Sequence, residues 1–239
     1  LICSCGEKMK PQAAIFADTQ DEPKNVMDWL DYLEPLLSFP VYRVTAGKLS
    51  DREREIHKSK KSGKHYRKSL VPAHCEGAGI LTRKCTTNHK IIPLMRKQKE
   101  LGNVGRGERE VKVASWIGIS TDEIQRMKPS REPFAVCIYP LIEKGFSRQD
   151  CLKWMEKNGF PRPPRSACVF CPFHSNEEWH RLKTENPEDF EKAVVLEREM
   201  QLAWERDETS TSKPFLHPSH KLIDTIDFND SSQMRLNLF

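Results

Sequence analysis

The chain has 239 residues, 37% of them hydrophobic, which suffices for one large domain or a domain with an appendage. Its 39 basic and 34 acidic residues leave a formal charge of +5, too small to demand a polyanionic partner. No apolar run approaches the roughly 18 residues that span a bilayer, and no signal-peptide pattern precedes the first charged residues. The chain therefore reads as cytoplasmic and free of membrane, and in that compartment its eight irregularly spaced cysteines are ligands or buried side chains, not a disulfide framework.

Residues 12–17 form a short apolar run that ends in Asp18 and Thr19, as a buried parallel strand does when its carboxyl end opens into a ligand loop. An acid and a hydroxyl there meet a ribose or cap the helix that follows, so Asp18 and Thr19 are candidate cofactor-binding residues. Val26, Trp29, Leu30, Leu33 and Leu37 recur at helical steps and predict a helix over 25–37, with a strand over 39–45. Residues 50–68 are about half Lys and Arg with almost nothing apolar, and read as a mobile basic loop that either tracks a nucleic-acid backbone or is simply solvated. Ser62-Gly63-Lys64 within it is no Walker A motif, because the preceding glycine and the following Ser or Thr are missing. Further strands are expected over 111–119 and 135–139, separated from what precedes by a polar loop at 102–110. Ser147 with Asp150 three residues on marks a capped helix that Gly159 stops. From Asn176 onward two helices separated by Pro187 are expected, the second presenting Phe190, Ala193, Val194, Met200 and Trp204, then an irregular tail with a short strand over 222–226. The alternation predicts an α/β fold, a Rossmann-like parallel sheet with helices on both faces, in a domain of residues 1–175 followed by a helical extension, 176–239.

Chemistry concentrates in three cysteines. Cys168-Val169-Phe170-Cys171 is a bidentate thiolate clamp, and Cys85, flanked by Arg83, Lys84 and Lys90, is a third thiol whose basic neighbours favour the metal-binding thiolate. His174, His89 and Cys75 are candidates for a fourth ligand. Cys3, Cys5, Cys137 and Cys151 are assigned to burial or to no role, the last two lying on a strand and a helix. The competing reading of the clamp is a pair of buried thiols without metal. A second cluster follows the strand at 111–119: Gly118, Ser120, Thr121, Arg126 and then Arg131 place backbone donors, hydroxyls and guanidinium groups where sheets often hold phosphate, or else form a solvated charged turn.

Taken in order, Ala14–Thr19, Cys85 with Lys90-Ile91-Ile92-Pro93-Leu94, Gly118-Ile119-Ser120 with Arg126, Tyr139-Pro140-Leu141 and Ser166–Pro172 resemble the phosphoadenosine phosphosulfate reductase-like branch of the adenine nucleotide alpha hydrolases, above all its phage and bacterial members. The resemblance covers most of residues 12–175. It implies an ATP pyrophosphatase-type enzyme using ATP with Mg, in which Lys90, Arg126 and Arg131 offset phosphate charge while Asp18, Thr19, Gly118 and Ser120 hold the nucleotide. The chain departs from the family at three points. The Ser-Gly-Gly-x-x-Ser phosphate loop and the strand before it would fall upstream of Leu1. Thr86 stands where cluster-bearing reductases have a second adjacent cysteine, which leaves three ligands, as in tRNA thiolation enzymes of the superfamily. No cysteine follows Cys171 to attack sulfate, so reductase chemistry is not expected. The implied activity is adenylation of a substrate oxygen and its replacement by sulfur, on a nucleotide or nucleic acid, with a 4Fe-4S cluster on Cys85, Cys168 and Cys171; an oligomer is compatible with it. The alternatives are a zinc-stapled nucleic-acid- or protein-binding domain and a degenerate member without chemistry.

Overall fold

The computed structural model describes residues 10–229, so Cys3 and Cys5 lie outside the described residues. In chain order the elements are β1 (Ala14–Asp18), α1 (Lys24–Leu33), β2 (Val41–Thr45), α2 (Leu49–Arg54), β3 (Ile56–Lys58), β4 (His65–Arg67), β5 (His74–Cys75), β6 (Gly79–Ile80), α3 (Ile92–Leu101), β7 (Val113–Trp116), β8 (Ala135–Ile138), α4 (Pro140–Glu143), α5 (Arg148–Lys157), α6 (Asn176–Glu185), α7 (Pro187–Glu205) and β9 (Pro214–Phe215). α1 stops short of its apolar periodicity because Pro35 removes a backbone donor, and the chain continues as a 3₁₀ turn over Glu34–Leu36. The fold is mixed α/β with small sheets: β1 pairs with β2, β3 with β4, β5 lies between β6 and β9, and β7 pairs with β8. The β7–β8 pair is parallel, whereas β3–β4 and both pairings of β5 are antiparallel.

The chain forms two compact units. One comprises the described part of Leu1–Phe16 with Trp29–Val44 and Leu94–Pro164. Its parallel pair runs in register from Val113 opposite Ala135 to Trp116 opposite Ile138, and Phe134 and Leu141 are buried beside it. Cys137 lies on β8, and Cys151 is buried on α5. The capping box expected at α5 is present: the Ser147 hydroxyl accepts the Asp150 N–H, the Asp150 carboxylate accepts the Ser147 N–H, and Gly159 takes the left-handed φ of +74° past the helix end.

The other unit comprises Ala17–Asp28, Thr45–Pro93 and the described part of Arg165–Phe239. α6 and α7 flank Pro187 as expected and bury Trp179, Phe190, Ala193, Val194, Leu196 and Met200 against Leu49, Val71, Val169 and Phe170. Residues 50–68 are not a mobile loop. They form α2 and an antiparallel hairpin with His57 opposite Tyr66, because charge is buried here with partners. Glu53, 1% exposed, accepts the N–H groups of Leu70 and Val71 and the Ser69 hydroxyl, while the Arg67 guanidinium donates to the Met200 carbonyl of α7. Nor do residues 222–226 form a strand: the N–H groups of Leu216 and Ile223 both donate to the carboxylate of Glu197, at 2.8 Å each, and Ile223–Thr225 closes into a 3₁₀ turn. Among the described residues no helix is long and apolar enough to cross a membrane.

His217 reports on this packing. Its Nδ1 accepts the Ser219 N–H at 3.1 Å, which leaves Nε2–H to donate to Asn176 Oδ1 at 2.9 Å, so the ring is held in its neutral form. Burial, with His74 nearby, pushes its pKa from 6.5 down to about 4. Between these values the unfolded chain takes up a proton that the folded one refuses, so this contribution is intact above pH 6.5 and is lost on acidification through pH 4. The loss amounts to roughly 3 kcal/mol. Urea unfolding across that range is expected to show a shallower dependence on pH for His217→Gln than for the wild type; parallel profiles would refute the assignment.

Candidate functional site

Cys168 and Cys171 lie on an irregular segment that hydrogen bonds close into a turn. The Cys171 N–H donates to the Cys168 carbonyl at 3.0 Å, the His174 N–H donates to the Cys171 carbonyl at 3.1 Å, and His174 Nε2 donates to the Cys168 carbonyl at 3.0 Å. The other imidazole nitrogen stands 3.8 Å from Glu178 Oε2, and the ring packs edge-on against Trp179. Burial opposes the charge of Glu178, but His174, Arg165 and the Ser175 N–H together hold its carboxyl well below the usual range. Val169 donates its N–H to the Asp21 carbonyl, His74 Nε2 lies 3.3 Å from the Pro172 carbonyl, and Val169 and Phe170 are buried in the core. The turn is thus fixed on several sides by protein groups alone.

Cys85 enters from a distant stretch of chain. The N–H groups of Lys84 and Cys85 share the Leu70 carbonyl, and the chain then winds into a π-helix over Thr86–Ile91 that leads into α3. Such turns are rare and recur at functional sites. This one carries Lys90, whose ammonium lies 3.1 Å from Glu22 Oε1. The side chain of Glu22 is only 1% exposed, and the same oxygen accepts the Thr19 hydroxyl at 3.1 Å and lies 3.8 Å from the Cys168 thiol. Thr19, wholly buried, also places its hydroxyl 3.4 Å from Cys168 Sγ. Glu22 Oε2 is buried without a partner among the described residues. A cleft of about 330 Å³ opens beside Glu22, lined also by Asp21, Lys48, Ser50, Arg54 and Lys192.

Electrostatics ties the three thiols together. Burial and the neighbouring Glu22 carboxylate push the Cys168 thiol up to about 12, against the opposing pull of Lys90. Burial also raises Cys171, opposed by the Phe173 N–H, Arg83 and Arg165, and the charge of Cys85 reaches it. Burial disfavours the charge on Lys90, yet Glu22, Cys168 and Cys85 hold its pKa above the ordinary lysine value. The charges of Cys85 and Cys168 thus reach Lys90, and those of Arg83 and Arg165 reach Cys171. Arg83 also stacks over the Phe173 ring, 5.5 Å from its centroid.

Lys90, Thr19, Cys85, Cys168 and Cys171 belong to this one unit, together with Asp18, whose carboxylate accepts the Gln20 N–H at 2.7 Å. The candidates for a fourth ligand are only partly engaged: His174 Nε2 bonds to the Cys168 carbonyl and the Cys75 thiol faces the Ser212 carbonyl at 3.9 Å, while Nδ1 of both His174 and His89 is buried without a partner among the described residues. Gly118, Ser120, Arg126 and Arg131 belong to the other unit. There Thr121–Arg126 is a 3₁₀ turn whose Thr121 N–H donates to the Phe146 carbonyl, Arg126 pairs with Glu123, and the Ser120 hydroxyl donates to Asp122. Among the described residues no three His, Cys, Asp or Glu side chains are grouped so as to hold a single metal ion. Glu22 and Arg165 are the participants that sequence reading misses; Arg83 is legible there as a basic neighbour of Cys85. The spacing of Thr19 and Glu22 matches a capping box, which would have been the signal for that pair, although here the two side chains meet each other and a thiol.

Comparison with family models, with curated proteins and with solved structures finds no match to the chain. Glu22→Ala leaves the Lys90 ammonium and the Thr19 hydroxyl without their shared acceptor, and is expected to cost about 2–4 kcal/mol of unfolding free energy. The mutation removes a charge that Glu22→Gln also removes, but Glu22→Gln keeps an acceptor oxygen. Chemical denaturation of both variants should therefore rank alanine as the more damaging; equal and negligible losses would show that the contact is not formed.

Proposed function

We propose that the chain is an adenine-nucleotide-dependent sulfurtransferase of the ATP pyrophosphatase type, with a thiolate-bound 4Fe-4S cluster on Cys85, Cys168 and Cys171. The reading is supported by the cysteines themselves: two stretches of sequence more than eighty residues apart supply three thiols that share electrostatic neighbours in Lys90, Arg83 and Arg165. Deprotonating the half-buried Cys168 and Cys171 is costly unless positive charge meets them; Lys90, Arg83 and Arg165 offset part of that cost, and a bound metal would supply the rest. Three cysteines without a fourth suit a cluster, and the same three with an imidazole suit zinc. A lone tetrahedral ion draws four ligands to a common point, whereas the irons of a cube take one thiolate each and leave the fourth iron open. Of the candidates for a fourth protein ligand, His174 already spends Nε2 on the Cys168 carbonyl, the Cys75 thiol faces the Ser212 carbonyl at 3.9 Å, and each of His174 and His89 keeps Nδ1 without a partner among the described residues. When bound, such a cluster supplies a site for sulfide.

The protein's own groups divide the remaining work. His174, through its bond to the Cys168 carbonyl, and His74, beside the Pro172 carbonyl, orient the thiol turn. Lys90 balances thiolate charge on one side and Arg83 with Arg165 on the other. The nucleotide half, with ATP and Mg, rests on the ordered resemblance in sequence, because Thr19, Ser120 and Arg126 already have protein partners. A Rossmann-like organisation of the small sheets and an anionic substrate, nucleotide or nucleic acid, belong to the same reading; the parallel pairing of β7 with β8 supports the first. The six free cysteines among the described residues suit a reducing cytoplasm.

Anaerobic purification or reconstitution of the full chain with iron and sulfide tests the cluster. The expected product is brown, with a broad visible absorption band and iron and acid-labile sulfide in equal amounts. Cys85→Ser, Cys168→Ser and Cys171→Ser should each lose most of both, while Cys75→Ser and His89→Gln keep them. A colourless protein that holds stoichiometric zinc would refute the assignment.

A further inference from the structure

The hairpin of β3 and β4 carries four lysines, Lys58, Lys60, Lys61 and Lys64, all exposed, and no acidic residue occurs anywhere from Ile56 to Lys68. None of the four has an acidic partner within ion-pair distance among the described residues, although acids pair with many of the chain's other cations. The turn that presents them is ordered. Ser59 N–H donates to the Lys64 carbonyl and Gly63 N–H to the Ser59 carbonyl, both at 2.9 Å, and Gly63 sits at a left-handed φ of +72°.

A two-stranded hairpin this polar is not stable by itself. This one is latched from below: Glu208 accepts the His65 N–H, the Glu208 N–H returns to the His65 carbonyl, and Asp207 accepts the Arg67 N–H. The Arg67 side chain is buried between Glu53 and the carboxyl end of α7. Carboxylates thus neutralise the base of the hairpin, Glu208 reaching Lys64 at a distance, and leave the tip lysines without an ion pair among the described residues. Lysines are point charges without the planar fork that reads base edges, and the tip carries no aromatic side chain on which a base could stack.

We propose that this lysine tip grips the phosphate backbone of a nucleic acid without reading its sequence, so that the substrate of the thiol-bearing unit is a polymer and not a free nucleotide. The proposal rests on the sulfurtransferase reading only for the identity of the substrate; the grip itself is a property of the hairpin. Counterion release makes it quantitative. Each phosphate neutralised on a single strand contributes roughly 0.7 to the slope of log affinity against log salt, so four lysines contribute about 3.

The test is fluorescence anisotropy of a labelled single-stranded RNA with the full chain over about 50–200 mM salt, comparing the wild type with the combined variant Lys58→Gln, Lys60→Gln, Lys61→Gln and Lys64→Gln. The expected result is weaker binding and a slope reduced by about 3, with melting temperature and iron content unchanged, since these side chains hold nothing in place. An unchanged slope overturns the proposal, as does a wild type that binds ATP but no RNA, or one that prefers phosphatidylserine vesicles through the same lysines. A normal cluster with an unchanged slope would refute the grip alone, whereas loss of the slope in a protein that binds no iron would support the grip and refute the cluster.

Discussion

The carboxylate of Glu22 lies almost out of reach of water, and what meets it there organises the thiol-bearing unit. A buried charge is tolerable only if opposite charge and hydrogen-bond donors reach it. Lys90 arrives from the π-helix, Thr19 from the end of β1, and Cys168 from the thiol turn, all converging on one oxygen. This convergence ties three remote stretches of chain together at the point where Cys85, Cys168 and Cys171 share their field. The second oxygen of Glu22 has no donor among the described residues, so the arrangement retains acceptor capacity beside the thiols.

The same device recurs throughout this unit. Strands here are two or three residues long, too short for ladders to satisfy the backbone, and carboxylates from helices and loops take the surplus N–H groups instead. Glu53 holds Leu70 and Val71, Glu197 holds Leu216 and Ile223, Asp21 holds Ser50, and Asp189 holds Lys24. Burial raises the pKa of Glu197 to about 6, and the accepted N–H groups keep it from rising further. A chain with modest hydrophobic content can therefore fix irregular segments precisely where a sheet would otherwise be needed.

That device also explains which parts of the structure were legible in the sequence. Capping and periodicity are local, so α5, α6 and α7 and the break at Pro187 could be read directly from Ser147, Asp150 and the spacing of Phe190, Ala193 and Val194. The hairpin at 56–67 was hidden because its stability comes from Asp207, Glu208 and Met200, about 140 residues away, and a compositional window sees only unburied charge. The 3₁₀ turn at Ile223 was likewise hidden, since nothing near it in sequence announces Glu197. The three cysteines stood out by spacing and by basic neighbours. The role of Thr19 did not, because a hydroxyl at a strand end has the same local sequence whether it faces a ribose or a thiol.

The π-helix shows how a departure from regular periodicity can place a functional group. In an α-helix residue i lies over i+4, but in this turn the Ile92 N–H reaches back to the Thr87 carbonyl, an i to i+5 bond, so residues five apart are brought over one another. Cys85 and Lys90 have that separation, and the charge of Cys85 is among those that hold the pKa of Lys90 up. Regular α-helical winding would turn Lys90 by about 100° for the one residue gained per turn, carrying its ammonium off Glu22 and exposing the carboxylate to an unpaired burial. The extra residue in the turn is therefore what brings the cation to Glu22, and no helical-wheel reading of Thr86–Leu101 would have drawn Lys90 on that side.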